Sequence, residues 1–146
     1  MPWDQISTMA LVIGVIGGLV SLVFLIFEIR RDSMAIKGAT VQALMAMEQD
    51  LFSTLADHAE VYLAGYAHFD SLAEVDAFRF SRYVGGYVSL YYAAFKQFEQ
   101  RLINSEVWTA YRSSMRSNLA KPGFAAFWRT FEQNHPASFR AAIAAL

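Results

Sequence analysis

The chain has 146 residues, of which 55% are hydrophobic, 15% aromatic and 17% charged, and its net charge is −1. It contains no cysteine, which excludes disulfide bonds, thiolate metal ligands and cysteine nucleophiles. A pI of about 6.3 is not typical of a nucleic-acid-binding protein.

The first predicted element is a transmembrane helix over residues 9–27, nineteen positions with no charge and one polar side chain, Ser21. At about 1.5 Å per residue this helix covers roughly 28 Å, close to the hydrocarbon thickness of a bilayer. The chain begins Met-Pro-Trp-Asp without a basic residue, and the residues after the run do not resemble a cleavage site. These features favour a retained anchor over a secretory signal peptide.

The basic pair Arg30 and Arg31 follows the apolar run directly and predicts that this end lies in the cytoplasm. The N-terminus then lies outside, and the expected location is the inner (cytoplasmic) membrane, crossed once. We therefore divide the chain into a tail and anchor, residues 1–31, and a helical bundle domain, residues 32–146. The second part is long enough for one hydrophobic core but not for two domains.

The later segments have apolar residues at helical spacing, and none alternates with the period of two that a strand requires. A second helix is predicted over residues 33–56. Asp32 or Ser33 could cap it as a separate element, but no proline or glycine-rich linker intervenes, so a helix continuous with the anchor is favoured.

Start signals divide the remainder of the chain into further helices. The predicted signals are a capping box at Ser71 and Glu74, a cap at Asn104 or Ser105, and the prolines Pro122 and Pro136. The expected fold is all-α, an N-terminal transmembrane helix followed by a small antiparallel bundle of about five helices.

Within the predicted anchor, small residues recur at the spacing of one helix face. Gly14 and Gly18 stand four apart, Gly17 is adjacent, and Ser21 follows on nearly the same side. Small side chains let two helix backbones approach closely within a membrane. The pattern predicts a helix-packing face, with a second copy of the chain or another transmembrane subunit as partner in addition to membrane lipid.

Acidic and basic residues separate along the chain. Residues 32–76 carry eight acids and one lysine, whereas residues 77–146 carry nine basic residues and three acids. These charges either pair within the bundle or leave a basic surface for anionic lipid or an acidic partner. Arg112 and Arg116, four apart on one helix face, are predicted to contact lipid or a partner, as are Arg30 and Arg31.

Aromatic residues crowd the long helix predicted from Ser71 to about Leu102, and more follow in the helices after it. The simplest interpretation is a bulky core for a small bundle, and an alternative is an interface with another protein or a lipid surface. A further alternative is a ligand pocket near four aromatic residues: Tyr87, Tyr91, Phe95 and Trp108.

No catalytic, cofactor-binding or metal-binding residues are predicted. Glu132 and His135 have the Glu-x-x-His spacing of di-iron bundles, but such sites need two copies and further carboxylates, and one copy is present. His58 and His68 are interpreted as capping or surface residues. The sequence contains no glycine-rich phosphate loop and no context for an activated nucleophile.

Short motifs cover most of the chain: Ala-Ile-Lys-x-Ala-Thr-x-Gln-Ala at residues 35–43, Arg79-Phe80, Gln97-Phe98 ahead of Trp108, Pro122-Gly123 before Phe127-Trp128, and Pro-x-x-Phe-Arg at residues 136–140. Together they resemble an uncharacterised family of small single-pass bacterial membrane proteins with a C-terminal helical domain of unknown function. That family has an acid where Tyr92 stands and a glycine where Arg101 stands. The resemblance implies the architecture of anchor and bundle, and it supplies no activity.

These features favour a non-catalytic accessory or scaffolding subunit of a membrane complex. Its anchor is expected to pack against other transmembrane helices or a copy of itself, and its cytoplasmic bundle to dock on a partner. The alternative is a membrane-tethered, ligand-sensing bundle with an aromatic pocket. Enzymatic activity, a cofactor and a nucleic-acid partner are not expected.

Overall fold

The computed structural model describes the backbone of residues 2–146 and the side chains of residues 14–146. This part of the chain forms six α-helices and no strand, which confirms the all-α prediction. Two short 3₁₀ turns, Phe69–Ser71 and Glu132–Asn134, lie between helices. The helices are α1 (Pro2–Asp57), α2 (Ala59–His68), α3 (Glu74–Glu99), α4 (Ser105–Leu119), α5 (Pro122–Phe131) and α6 (Ala137–Ala144).

Helix α1 has no break at Asp32 or Ser33, so the favoured continuous helix is confirmed. Contacts divide the chain into two units, Met1–Gly38 and Ala39–Leu146, and the second contains the end of α1 together with α2–α6. Within the predicted transmembrane run, residues 9–13 lie outside the described side chains. Among the residues that are described, no helix is both long enough and apolar enough to cross a membrane.

The helix starts follow local hydrogen bonding, and the predicted capping box is wrong. Helix α3 begins after Ala73, because Ser71 belongs to the preceding turn and its hydroxyl donates to a carbonyl oxygen at the end of α2 over 2.9 Å. The predicted cap at Asn104 is confirmed, since its Oδ1 accepts from a main-chain N–H in the first turn of α4 at 2.9 Å. Pro122 is the first residue of α5, where its missing N–H donor is not needed.

The end of α3 is a Schellman motif closed by Arg101. The Arg101 N–H donates to the Phe98 carbonyl oxygen at 3.0 Å, and the Leu102 N–H donates to that of Gln97 at 2.9 Å. This geometry needs a left-handed residue, and Arg101 has a φ of 60°, the only positive φ of a non-glycine residue among the described positions. The left-handed conformation costs a residue with a Cβ about 1–2 kcal/mol.

Helix α3 is central to the second unit and packs against α2, α4 and α5. The end of α1 covers part of the same core with Leu44, which is 3% exposed. Burial of each large apolar side chain contributes about 1.5–3 kcal/mol, so this interior is the main source of stability. The inner face of α3 includes Phe80, Val84, Val88, Leu90, Tyr91 and Ala94.

Two buried glycines let α2 and α5 pack with their backbones in contact. A Cβ built on Gly123 would collide with the carbonyl oxygen of Gly65. A Cβ built on Gly65 would collide with the ring of Phe80, which is fully buried and has no room to move aside. This crossing therefore requires a hydrogen atom in place of a side chain at both positions.

Candidate functional site

The described apolar segment of α1, residues 14–27, presents an apolar surface on all sides of the helix. The large apolar side chains between residues 15 and 29 are each 50–69% exposed. Because neighbouring positions of a helix point about 100° apart, the consecutive apolar residues 22–27 cover the whole circumference. A helix that is apolar all round is typical of burial in lipid or within a large protein.

On the side of α1 that carries the predicted helix-packing residues, no described atom fills the space beside the glycines. A Cβ built on Gly14, Gly17 or Gly18 would meet no atom within 4 Å. The Ser21 hydroxyl donates to the Gly17 carbonyl oxygen over 2.9 Å, so its polar group is satisfied within the helix. Another backbone could therefore approach this side without leaving a hydroxyl unpaired.

The four predicted contact arginines form no ion pair with any described residue. Arg30, Arg31 and Arg116 are exposed, and Arg112 is half-buried. Both ion pairs in the described part of the chain join α3 residues one turn apart. Of these two pairs, Arg79–Asp76 joins the basic half to the acidic half, but only within one helix turn, so no described ion pair links different helices. The charges of the four predicted contact arginines stay available for other partners.

The four residues predicted to form a pocket are 1–9% exposed and belong to the core. The ring centroids of Tyr87 and Tyr91 lie 5.9 Å apart, and those of Phe95 and Trp108 lie 5.8 Å apart. None of the four lines either of the two cavities described below. These four side chains therefore fill the core and do not line an open pocket.

A chain of hydrogen bonds runs from Tyr91 to Lys121. The Tyr91 hydroxyl lies 2.8 Å from Ser114 Oγ and accepts from Asn118 Nδ2 at 2.7 Å. Asn118 Oδ1 accepts from the Lys121 ammonium at 2.7 Å, and that ammonium lies 4.2 Å from the centre of the Tyr66 ring. Both polar atoms of the buried Asn118 amide are thus paired, which avoids a cost of about 1–3 kcal/mol for an unpaired group.

Burial disfavours the charged forms of Tyr91 and Lys121, the two ends of this hydrogen-bond chain. It raises the pKa of Tyr91 to about 12, although hydrogen bonds from Ser114 and Asn118 act in the other direction. It also lowers the pKa of Lys121. The arrangement links α3 to α4 and the start of α5. Local sequence patterns do not reveal this arrangement, because Ser114 and Asn118 lie on a helix with many exposed polar residues.

The largest described cavity is an open cleft of about 610 Å³ between α3 and the segment formed by α5 and the turn after it. We call it the α3–α5 cleft. Aromatic, polar and basic side chains line it, so it combines apolar walls with hydrogen-bonding groups. Its lining includes Phe78, Arg82, Gly85, Phe127, Phe131 and His135.

His135 lies against three aromatic rings at the edge of this cleft. Its ring centroid is 5.5 Å from those of Trp128 and Phe139 and 6.0 Å from that of Tyr92. Burial lowers the pKa of His135, which favours the neutral imidazole. Among the described residues that line the cleft, Arg82 is the only Lys, Arg, Asp or Glu.

A second cavity, a groove of about 260 Å³, separates the end of α1 from α4. Its walls are mainly apolar, with Leu44 on α1 and Val107 on α4, and Glu48 is the only charged residue in its described lining. Burial and then the Glu48 carboxylate raise the pKa of Tyr111, which also lines the groove.

In the part of the chain whose side chains are described, no three His, Asp or Glu residues are placed to hold a metal ion. No protein-family model, curated protein or solved structure matches the chain. The family resemblance therefore stays a prediction.

Proposed function

We propose that this protein is a non-catalytic, single-pass accessory subunit of a membrane complex. The observation that carries the proposal is the apolar surface of α1, where every large apolar side chain between residues 15 and 29 is at least half exposed. Removing apolar surface from water is favourable by about 25 cal/mol per Å². Lipid is the environment that fits a helix with no polar side.

The basic pair after the apolar segment supports an orientation with the bundle in the cytoplasm. Arg30 and Arg31 are exposed and form no ion pair with the described residues. Arginines at the end of a membrane span favour the cytoplasmic face, where anionic lipid headgroups attract them. The N-terminus is then outside.

The open glycine side of α1 supports contact with a second transmembrane helix. Gly14, Gly17 and Gly18 have free space where a side chain would be, and the Ser21 hydroxyl is already paired. Close backbone approach gains van der Waals contact, which drives helix association in lipid where the hydrophobic effect does not. The partner in this proposal is a second copy of the chain or another subunit.

The bundle serves as the docking part of the proposed subunit. Arg112 and Arg116 stand one turn apart on α4 and have no acidic partner among the described residues. Such charges steer association with an acidic protein surface or anionic lipid more than they add affinity.

The anchor is tested by placing charge in the apolar segment. In the double variant Leu19→Arg, Val23→Arg, each guanidinium costs about 2.5–3.5 kcal/mol in the bilayer. We expect the protein to move from the carbonate-resistant membrane fraction to the supernatant. Leu63→Arg is the matched control, since Leu63 is a 71% exposed apolar residue on α2, and this variant stays with the membrane. Retention of the double variant in the membrane fraction would contradict the anchor.

A further inference from the structure

The α3–α5 cleft has the size and the lining of a small-molecule site. Its volume of about 610 Å³ lies within the range of roughly 300–1,000 Å³ that is usual for ligand pockets. Phe78, Phe127 and Phe131 give it apolar walls, and the Phe78 side chain is 66% exposed. A concave surface with exposed aromatic rings gains free energy when an apolar group covers it.

Gly85 leaves space in the wall of the cleft. A Cβ built there would lie 3.5 Å from Phe127 Cζ, an ordinary contact, so a longer side chain would extend into the cleft. Its neighbour Gly86 differs, because a Cβ there would lie 2.6 Å from Leu51 Cδ2 on α1. Glycine destabilises a helix interior relative to alanine. Close packing accounts for a glycine at position 86, but it does not account for the one at position 85.

Charge in the cleft has one sign. Among the described residues that line it, Arg82 is the only formally charged one and none is a carboxylate, and Arg82 forms no ion pair with any described residue. Arg79, one turn earlier on α3, is by contrast paired with Asp76 at 3.1 Å. A guanidinium presents its N–H donors in a planar fork that matches the two oxygens of a carboxylate. Ser81 and Asn134 supply further polar groups to the lining.

We propose that the α3–α5 cleft binds a small carboxylate with an apolar body, with the acid on the Arg82 guanidinium and the body against the phenylalanine rings. The corresponding alcohol has the same apolar body but lacks the charge that strengthens the hydrogen bonds. The site does not depend on the proposed membrane anchor, because every residue involved belongs to the second unit.

The proposal is tested by calorimetric titration of the purified full-length protein in mild detergent, with detergent alone as the blank. The probes are 3-phenylpropionate, which represents soluble aromatic acids, and octanoate, which represents acids released from lipid. We expect saturable binding of one or both acids, and the tighter probe indicates the source of the natural ligand. The neutral analogue 3-phenylpropanol is expected to bind at least tenfold more weakly than its acid.

Two matched pairs of variants locate the binding. Arg82→Gln is expected to weaken binding of the acid roughly tenfold, whereas Arg79→Gln on the same helix leaves it unchanged. Gly85→Leu is expected to abolish binding by filling the cleft. Gly38→Leu, the same substitution in α1 where a Cβ meets no atom within 4 Å, leaves it unchanged.

Circular dichroism of each variant checks that the helices remain. If Gly85→Leu fails to fold, the comparison of the two arginine variants decides the question. The proposal is overturned if neither acid binds saturably or if the alcohol binds as tightly as its acid. Equal affinities of the Arg82 and Arg79 variants would also overturn it.

Discussion

Arg101 ends α3 in a backbone conformation that glycine adopts without strain. Its φ of 60° places its Cβ close to the following carbonyl group, and its exposed side chain forms no ion pair with the described residues. Nothing in the structure explains an arginine at this position. Glycine would fit this position of the Schellman motif without strain.

Replacing Arg101 with glycine is expected to raise the free energy of unfolding by about 0.5–1 kcal/mol. The variant loses the strain of the left-handed conformation, and the greater freedom of glycine in the unfolded chain offsets part of that gain. Urea unfolding of the full-length protein, followed by tryptophan fluorescence, measures the difference. Arg101→Ala removes the same charge but keeps a Cβ, so it brings no gain. An equal gain in both variants would assign the effect to charge instead.

At the scale of single residues, the sequence predicts local interactions and misses distant ones. The Asn104 cap could be predicted because its partner lies three residues away. The capping box failed because Ser71 bonds backward into the preceding turn, a local competition that the motif does not reveal. The bond from Asn118 to Tyr91 joins residues 27 positions apart, and no local pattern connects them.

At the scale of the helix, three helical glycines have different roles. Gly65 and Gly123 bring two backbones together, whereas Gly85 borders open space. Helical spacing and start signals predict where most helices lie, because both depend on neighbouring residues. Which helices touch through a glycine depends on the tertiary arrangement, so the sequence does not distinguish the three.

Alanine at these glycines is therefore expected to change stability in opposite directions. Gly123→Ala lowers the free energy of unfolding by about 1–3 kcal/mol or abolishes folding, because the new methyl group collides with the Gly65 backbone. Gly85→Ala raises it by about 0.5–1 kcal/mol, because alanine is the better helix former and its Cβ fits. Urea midpoints of the two variants measure the contrast. Stabilisation by Gly123→Ala would contradict the backbone contact between α2 and α5.

At the scale of the whole molecule, the second unit has a core, and the described side chains of the first unit form none. The second unit buries an aromatic-rich interior, whereas the described apolar side chains of the first unit remain at least half exposed. Composition and periodicity predict an apolar segment followed by helices with one apolar face, since apolar residues without any polar face differ from those at helical spacing. The α3–α5 cleft could not be predicted, because it is space that the packed helices leave between them.

A single leucine in the predicted helix-packing face, which contains Gly14, Gly17 and Gly18, tests whether α1 packs against another helix. Gly18→Leu is expected to reduce recovery of the partner, a second copy or another subunit, by about fivefold or more after purification in mild detergent, because the side chain separates the backbones. Val20→Leu is the control, since Val20 points to nearly the opposite side of α1. Size-exclusion chromatography with light scattering measures the assembled mass. Equal assembly of both variants with the unmodified protein would exclude this face as the contact.

The touching backbones of α2 and α5 also limit how this sequence can diverge. An aromatic ring in the core can be exchanged for another apolar group when its neighbours repack, but Gly65 and Gly123 have no smaller or equal substitute. Mutation over time should therefore erase the aromatic pattern before it erases the glycine pair. Two glycines at this separation, each within a short helix, are a more durable signature for recognising remote homologues than overall similarity.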